Sequence, residues 1–244
     1  MMIAALVKTS FVDYPGKITA VVFTPGCNLN CFYCHNRGLL ATDSRSDGVA
    51  AEEVLRWLRE RQGLLDAVVI TGGEPTLQPG LAEFIAEIRV LGYLVKLDTN
   101  GTCPTVLASL IDAGLLDYVA MDIKAPPQKY DSICGVHVDY ESINASIDQL
   151  LHDRIGYEFR TTVIPQLTKT DILAIGQRIR GARSYVLQQY RRPESVARPP
   201  DMRLAEPPHP STWVREVIKG LNGLVRSCDT RGFDINRPLA ESSS

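Results

Sequence analysis

Residues 18–34 read ITAVVFTPGCNLNCFYC, and this stretch carries the first indication of both fold and chemistry. Ile18–Phe23 is a short, nearly continuous apolar run, which is typical of a strand buried on both faces. Thr24-Pro25-Gly26 ends the run with turn residues, and three cysteines follow at once. Because active sites of α/β sheets and barrels collect at the carboxyl ends of strands, the cysteine loop is the first candidate site.

Similar apolar runs recur along the chain and alternate with segments of helical period. The predicted strands are Ile18–Phe23, Ala67–Ile70, Tyr93–Leu97, Tyr118–Met121, Phe159–Ile164 and Tyr185–Leu187. The intervening segments carry amphipathic stripes, such as the one formed by Leu81, Phe84, Ile85, Ile88 and Leu91. This alternation predicts an α/β fold with a parallel sheet covered by helices. Six βα units fit either a partial barrel or a doubly wound open sheet, and periodicity does not decide between them.

The remaining segments complete the expected organisation of one domain over residues 1–235. The first residues, before Tyr14-Pro15-Gly16-Lys17, are expected to form an extra strand joined to the first barrel strand by a turn. Residues 191–210 are proline-rich and predict an irregular loop between the last strand and the last helix. Residues 236–244 are expected to be a disordered tail.

Composition and charge exclude some classes of partner. The 244 residues carry a net charge of −2, so no global field favours nucleic acid or an anionic membrane. The amino terminus lacks a secretory signal pattern, and no apolar stretch is long enough to span a membrane. We therefore expect a cytoplasmic protein, with neither nucleic acid nor a membrane as partner. In that compartment, clustered thiols are metal ligands or catalytic groups more often than disulfides.

The cysteine loop itself predicts a metal or cluster centre. Cys27, Cys31 and Cys34 can converge on one inorganic centre, whereas the other cysteines are scattered in sequence at 103, 134 and 228. A structural zinc would want a fourth ligand, and His35 is too close to Cys34 to fold back easily. Three cysteines without a fourth suit an iron–sulfur cluster with one iron open to a further ligand. Buried structural cysteines, or a zinc completed by a distant residue, are the alternatives.

Other polar motifs stand at later predicted strands. Thr71-Gly72-Gly73-Glu74-Pro75 follows the second strand, the third strand ends in Lys96–Gly101, the fourth ends in Met121–Lys124, and Arg160–Pro165 belongs to the fifth. Alone, the glycine pair could be a βα turn, and each charge could belong to an ion pair or an Asx turn. Together they put carboxylates and an ammonium group at the mouth of the barrel, where a zwitterionic ligand needs partners.

With these motifs in place, the chain resembles the radical S-adenosylmethionine superfamily. Its signature is CxxxCxxC with an aromatic residue just before the third cysteine, the position of Tyr33. The resemblance implies a partial (β/α)6 TIM-like barrel with a [4Fe–4S] cluster bound by Cys27, Cys31 and Cys34. It also implies that the cluster cleaves S-adenosylmethionine to a 5′-deoxyadenosyl radical, which takes a hydrogen atom from the substrate.

The resemblance also assigns residues to the cofactor. Glu74 and the backbone of the glycine pair would bind its ammonium group, as in the GGEP motif of the superfamily. Asp98 and Asp122 would help to hold a monovalent cation beside its carboxylate, as in activases of glycyl radical enzymes. Lys124 would approach the cofactor, and Arg160 would face its adenosyl end. The full assigned set is Tyr33, Gly72, Gly73, Glu74, Asp98, Thr99, Asp122, Lys124 and Arg160.

Within the superfamily, residues 3–190 are most similar to the activating proteins of anaerobic ribonucleoside-triphosphate reductase. The resemblance rests on Val7–Ser10, Asp13–Lys17, Cys34-His35-Asn36 and the third- and fourth-strand motifs. It implies hydrogen abstraction from a backbone glycine of a large partner and a reducing electron donor such as flavodoxin or ferredoxin.

Three alternatives remain open at this point. An activase of the pyruvate formate-lyase type is less well matched, because that family has a histidine after its sixth strand and the matching stretch here, Val186-Leu187-Gln188-Gln189-Tyr190, has none. A radical enzyme that modifies a small molecule or peptide is the second. A zinc- or cluster-binding regulatory protein without turnover is the third, although it would not need the charged strand ends.

Overall fold

A computed structural model of the protein describes residues 1–40, 48–194 and 201–234. The strands are β1 (Ala5–Ser10), β2 (Thr19–Thr24), β3 (Ala67–Gly72), β4 (Leu94–Thr99), β5 (Tyr118–Asp122), β6 (Gly156–Val163), β7 (Tyr185–Gln189) and β8 (Cys228–Arg231). The helices are α1 (Ala51–Arg59), α2 (Leu81–Val90), α3 (Pro104–Asp112), α4 (Pro127–Cys134), α5 (Tyr140–Leu151), α6 (Lys169–Arg178) and α7 (Ser211–Leu221). Short 3₁₀ turns cover Arg37–Leu39, Pro75–Leu77 and Met202–Ala205.

The strands form one eight-stranded sheet in the order of the sequence, from β1 to β8. β2 through β8 run parallel, and β1 pairs antiparallel with β2. A doubly wound sheet reverses its strand order at a switch point, and this sheet does not. The α/β partial TIM-like barrel and its extra N-terminal strand are therefore confirmed.

The C-terminal region differs from the expectation. Cys228–Arg231 forms a seventh parallel strand, so the strand predicted at Tyr185–Leu187 is not the last one. The segment predicted as an irregular loop contains a 3₁₀ turn at Met202–Ala205, and its residues 195–200 lie outside the described part of the chain. The tail predicted at 236–244 also lies outside the described residues.

Two apolar clusters lie on opposite faces of the sheet, because successive side chains of a strand alternate. The larger cluster fills the space between the sheet and the helices. A smaller one lies inside the barrel and consists of Tyr14, Val21, Ala67 and Val69, with Phe23, Leu94 and Tyr118 packed against it. Along β4 the inward residues are Leu94, then Lys96, then Asp98, so the barrel interior changes from apolar to charged toward the carboxyl ends. No helix in the described ranges is both long and apolar enough to cross a membrane.

Candidate functional site

The three cysteines of the loop after β2 line a single cavity of about 230 Å³ at the carboxyl ends of the strands. Gly26, in a left-handed conformation with φ of 75°, turns the chain out of β2 and into the loop. The cavity is lined by Cys27, Leu29, Cys31, Tyr33, Cys34, His35, Asn36, Leu40, Thr71, Gly72, Gly73, Asp98, Thr99, Asn100, Asp122, Lys124, Arg160 and Thr162. The loop that the sequence singled out therefore borders a cavity at the carboxyl ends of the strands, and its role as the active site stays a prediction.

The donor set of this cavity fits an iron–sulfur cluster. All three cysteines are free thiols, and burial raises the pKa of Cys34 and brings that of Cys27 to about 11. Among residues 1–40, 48–194 and 201–234, no three Cys, His, Asp or Glu side chains are grouped closely enough to hold a single metal ion. A cluster spreads its ligands over several irons, so three thiols on one loop can each bind a different iron. Tyr33 also lines the cavity, and its buried hydroxyl has no hydrogen-bond partner within the described residues. A bound group could supply that partner.

Cys134 is closer to the cysteine loop than the sequence suggested. Its thiol lies beside that of Cys31, and the interaction between the two lowers the pKa of Cys31 to about 7 and raises the pKa of Cys134. The Cys134 carbonyl also accepts a hydrogen bond of 2.8 Å from the Asn30 amide. Cys134 is far from the loop in sequence and close to it in space, because α4 packs against the loop. Cys134 is fully buried and does not line the cavity, so it lies behind the predicted ligands.

The glycine pair after β3 lets two backbone segments touch. A Cβ atom on Gly72, where φ is 121°, would lie 2.4 Å from Thr24 backbone atoms. A Cβ atom on Gly73 would lie 1.8 Å from the Gly26 carbonyl oxygen. The same carbonyl accepts a hydrogen bond of 2.8 Å from the Glu74 amide. The end of β3 thus supports the start of the cysteine loop directly.

The Glu74 carboxylate ties the end of β3 to the end of β4. It accepts hydrogen bonds from the Thr76 amide (3.1 Å) and hydroxyl (2.6 Å), the Thr99 hydroxyl (2.8 Å) and the Asn100 amide (2.7 Å). Burial raises the pKa of Glu74, and these donors act in the opposite direction. Glu74 is fully buried and is the one assigned cofactor residue that does not line the cavity. Its contact with an ammonium group stays a prediction.

Charged side chains form a continuous network inside the barrel. Arg160 donates to Asp122 (2.8 Å) and to Asp98 (3.1 Å), while Lys124 donates to Asp122 (2.8 Å) and Lys96 to Asp98 (2.6 Å). Burial raises the pKa of both aspartates, but the neighbouring cations outweigh it, so both pKa values lie below normal. Three cations against two carboxylates leave one excess positive charge in the network. The monovalent cation assigned to the aspartates stays a prediction, and both carboxylates already have cationic partners.

Sequence reasoning missed two residues of this arrangement. Lys96 was quoted in a motif but given no role, although a residue two positions from Asp98 on a strand shares its face. The side-chain nitrogen Nδ2 of Asn100 donates to the Asn28 side chain (3.0 Å) and lies 3.8 Å from the Cys27 sulfur. Both contacts place Asn100 at the cysteine loop, and its position directly after Thr99 was the available signal.

Comparison with known proteins identifies the class of this chain. A model of the Radical SAM superfamily matches residues 21–179, which is more than half of the sequence. The protein belongs to the radical S-adenosylmethionine superfamily, whose members use a [4Fe–4S] cluster and S-adenosylmethionine.

Several relatives share parts of this sequence. The chain is 35% identical over 195 residues to a Methanocaldococcus jannaschii protein named "Putative glycyl-radical enzyme activating enzyme MJ1227", covering 78% of this chain and 80% of that protein. It is 35% identical over 119 residues to "Probable GTP 3',8-cyclase" of Pyrococcus abyssi, which covers 48% of this chain and 38% of that protein. It is 36% identical over 97 residues to a Staphylococcus aureus pyruvate formate-lyase-activating enzyme, with 38% of each chain covered.

Solved structures agree with the fold. Streptococcus suis SuiB superposes with a TM-score of 0.63 and 13% identity, over 88% of this chain and 49% of SuiB. A domain of a Bacteroides vulgatus pyruvate-formate lyase-activating enzyme superposes with a TM-score of 0.51 and 17% identity, over 68% of this chain and 99% of that domain. At these identities the likeness shows the fold alone.

Proposed function

We propose that this radical S-adenosylmethionine enzyme activates a glycyl radical enzyme by removing a hydrogen atom from one backbone glycine of its partner. The observation that carries the proposal is the coverage of the M. jannaschii relative, which matches 78% of this chain and 80% of its own length. The match to the P. abyssi protein covers only 38% of that relative. A relative that matches over most of both chains supports a shared reaction better than a relative of which less than half is matched.

The residues of the cavity have distinct tasks under this proposal. Cys27, Cys31 and Cys34 would bind the cluster as thiolates, leaving one iron open. When bound and reduced, the cluster and S-adenosylmethionine supply a 5′-deoxyadenosyl radical. The excess positive charge of the network around Arg160 favours the carboxylate of the cofactor, and the aspartates orient the cations.

The open barrel supports a macromolecular substrate. β1 and β8 are the two ends of the described sheet and do not pair with each other, so the barrel does not close. A loop of a partner protein could reach the cavity and exclude water from it. Glycine suits such a reaction, because its Cα radical is stabilised by the flanking amides and no side chain blocks access.

We propose anaerobic ribonucleoside-triphosphate reductase as the partner, with a flavodoxin- or ferredoxin-like protein as the electron donor. The N-terminal motifs Val7–Ser10 and Asp13–Lys17 support this choice. The stretch Val186–Tyr190 lacks the histidine that the pyruvate formate-lyase activases have after their sixth strand, which disfavours the alternative partner.

The test mixes the reconstituted, reduced enzyme and S-adenosylmethionine under anaerobic conditions with the reductase of the same organism and, in a separate reaction, with pyruvate formate-lyase. We expect a glycyl radical signal on the reductase by electron paramagnetic resonance (EPR), with 5′-deoxyadenosine formed in proportion. A radical formed on pyruvate formate-lyase alone would refute the reductase as the partner and identify pyruvate formate-lyase instead. Cleavage of the cofactor without a radical on either protein would refute the activase proposal.

Matched cysteine variants provide the control. Cys31→Ala removes a predicted cluster ligand and should abolish both the cluster and the glycyl radical. Cys103 precedes α3 and does not line the cavity, so Cys103→Ala should retain both. Loss of the cluster in Cys103→Ala would show that the ligand set is wrong.

A further inference from the structure

A short C-terminal segment, residues 201–205, lies against the cysteine loop. The guanidinium carbon of Arg203 stands 4.0 Å from the centre of the Phe32 ring. Phe32 is buried and lies between Cys31 and Cys34, two of the predicted cluster ligands. A guanidinium at this distance from an aromatic face makes a favourable cation–π contact. The segment therefore touches the loop at its centre.

The position of Arg203 is fixed by its own segment. Its Nε and Nη2 atoms donate to the two carboxylate oxygens of Asp201, at 3.0 and 2.7 Å. The Arg203 amide also donates to Asp201 (2.9 Å), and the Arg203 carbonyl accepts from the Gln166 side chain (3.3 Å). A two-point carboxylate pair holds the guanidinium plane in one orientation, which a stacked contact requires.

The same guanidinium caps α4. Its Nη1 atom donates to the Ser132 carbonyl (2.8 Å) in the last turn of that helix, where carbonyl groups lack helical partners. α4 in turn contacts the loop, because the Asn30 amide donates to the Cys134 carbonyl. A Cβ atom on Gly135 would lie 2.6 Å from the Asn30 carbonyl oxygen, so there is little room between the two segments. Arg203 thus joins residues 201–205, α4 and the loop at one point.

Arg37, which follows the loop in the sequence, provides a second guanidinium that contacts it. Arg37 donates to the Cys31 carbonyl (2.8 Å) and to the Asn30 side chain (3.0 Å). The two arginines contact different atoms of the loop, since Arg203 contacts the Phe32 ring and Arg37 the backbone. The loop between Cys27 and Cys34 is therefore held by contacts that lie outside the three thiols.

We propose that Arg203 is a positioning residue for the cluster: by stacking on Phe32 and capping α4, it keeps the loop in the shape that spaces the three ligands. This assigns a role to the C-terminal segment, for which the sequence offered none. The proposal rests on the cluster and is independent of the partner, so it can fail or hold separately from the activase proposal.

The test compares reconstituted holoenzymes under anaerobic conditions. The variants are Arg203→Gln, which removes the cation, Arg203→Lys, which keeps the charge but loses the planar group, and Phe32→Leu. Arg61→Gln is the matched control, because Arg61 also stands over an aromatic ring, that of Trp57 at 4.6 Å, beside a carboxylate. It follows α1, on the way to β3, at the end of the sheet away from the loop.

The first readout is the rate of iron release to a chelator, and the second is the EPR spectrum of the reduced cluster. We expect Arg203→Gln to release iron about 5- to 10-fold faster and to alter the spectrum, with Arg203→Lys in between. Arg61→Gln should match the parent enzyme. The double variant of Phe32 and Arg203 should release iron more slowly than the product of the two single effects predicts, because both single substitutions remove the same stacked contact.

Three results would overturn the proposal. The first is parental iron release and spectrum in Arg203→Gln. The second is a lower unfolding midpoint in that variant with unchanged iron release, which would make the contact merely structural. The third is additive effects of the Phe32 and Arg203 substitutions on iron release, which would show that the two side chains act independently.

Discussion

Replacing Gly73 by alanine tests the contact between the end of β3 and the start of the cysteine loop. The new Cβ atom would lie 1.8 Å from the Gly26 carbonyl oxygen and 2.6 Å from the Gly26 carbonyl carbon. Both neighbours are backbone atoms, so no side chain can rotate away. To restore ordinary contact, the two segments must separate by about 1.5 Å.

The cost has two parts. Overpacking of this kind costs about 1–3 kcal/mol. The separation also breaks the hydrogen bond from the Glu74 amide to the Gly26 carbonyl, which is 2.8 Å long and worth about 1 kcal/mol. We therefore expect Gly73→Ala to lower the free energy of unfolding by about 2–4 kcal/mol.

Urea unfolding of the cluster-free protein, followed by circular dichroism, measures this change. The control is Gly38→Ala, because a Cβ atom on Gly38 meets nothing within 4 Å and its backbone is unstrained. Gly38→Ala should lie within about 0.5 kcal/mol of the parent protein. Equal unfolding midpoints for the two variants would refute the close approach at Gly73.

Three further predictions concern residues in the wall of the cavity and directly behind it. Glu74→Gln should lower the free energy of unfolding by about 2–3 kcal/mol, because its amide group must face a buried N–H or O–H donor; a urea midpoint equal to that of the parent would contradict this. Asp122 has a lowered pKa in the folded state, so its contribution to stability is present above the unfolded pKa of about 3.9 and declines as pH falls through the folded value. Urea midpoints measured against pH should therefore fall less steeply below about pH 4 in Asp122→Asn than in the parent, and parallel curves would argue against the ion pairs. Cys134→Ala should bind as much iron as the parent in a chemical iron assay, since Cys134 lies behind the ligands; iron loss matching that of Cys31→Ala would make it a ligand.

The parts of the fold that could be predicted are those with a local signal. β2 to β7 each contain an apolar run, and Gly72-Gly73 marks a close backbone approach. Three of the six predicted starts, at Ala67, Tyr118 and Tyr185, are exact. The other bounds shift by one to three residues, because strand ends such as Gly156 and Asp122 pair with the sheet but carry no apolar side chain. β8 could not be predicted, because Cys228–Arg231 contains no apolar run. It joins the sheet by pairing its backbone with β7, which leaves no pattern in the sequence.

The contacts that could not be predicted join residues far apart in the chain. Cys134 reaches Cys31 because α4 returns to the mouth of the barrel, and Arg203 reaches Phe32 from a segment after β7. The partners of Asp98 and Asp122 also depend on strand order, since Arg160 bridges them only when β4, β5 and β6 are neighbours. No periodicity encodes such pairings, although each charged residue was visible as a strand-end motif.

Anaerobic reconstitution of the full chain with iron and sulfide, followed by reduction in the presence of S-adenosylmethionine, tests most directly whether the cysteine loop holds a catalytic cluster. We expect about four iron atoms per chain and the formation of 5′-deoxyadenosine, both abolished when Cys27, Cys31 or Cys34 is replaced by alanine. Bound zinc without cleavage of S-adenosylmethionine would contradict the cluster and its chemistry.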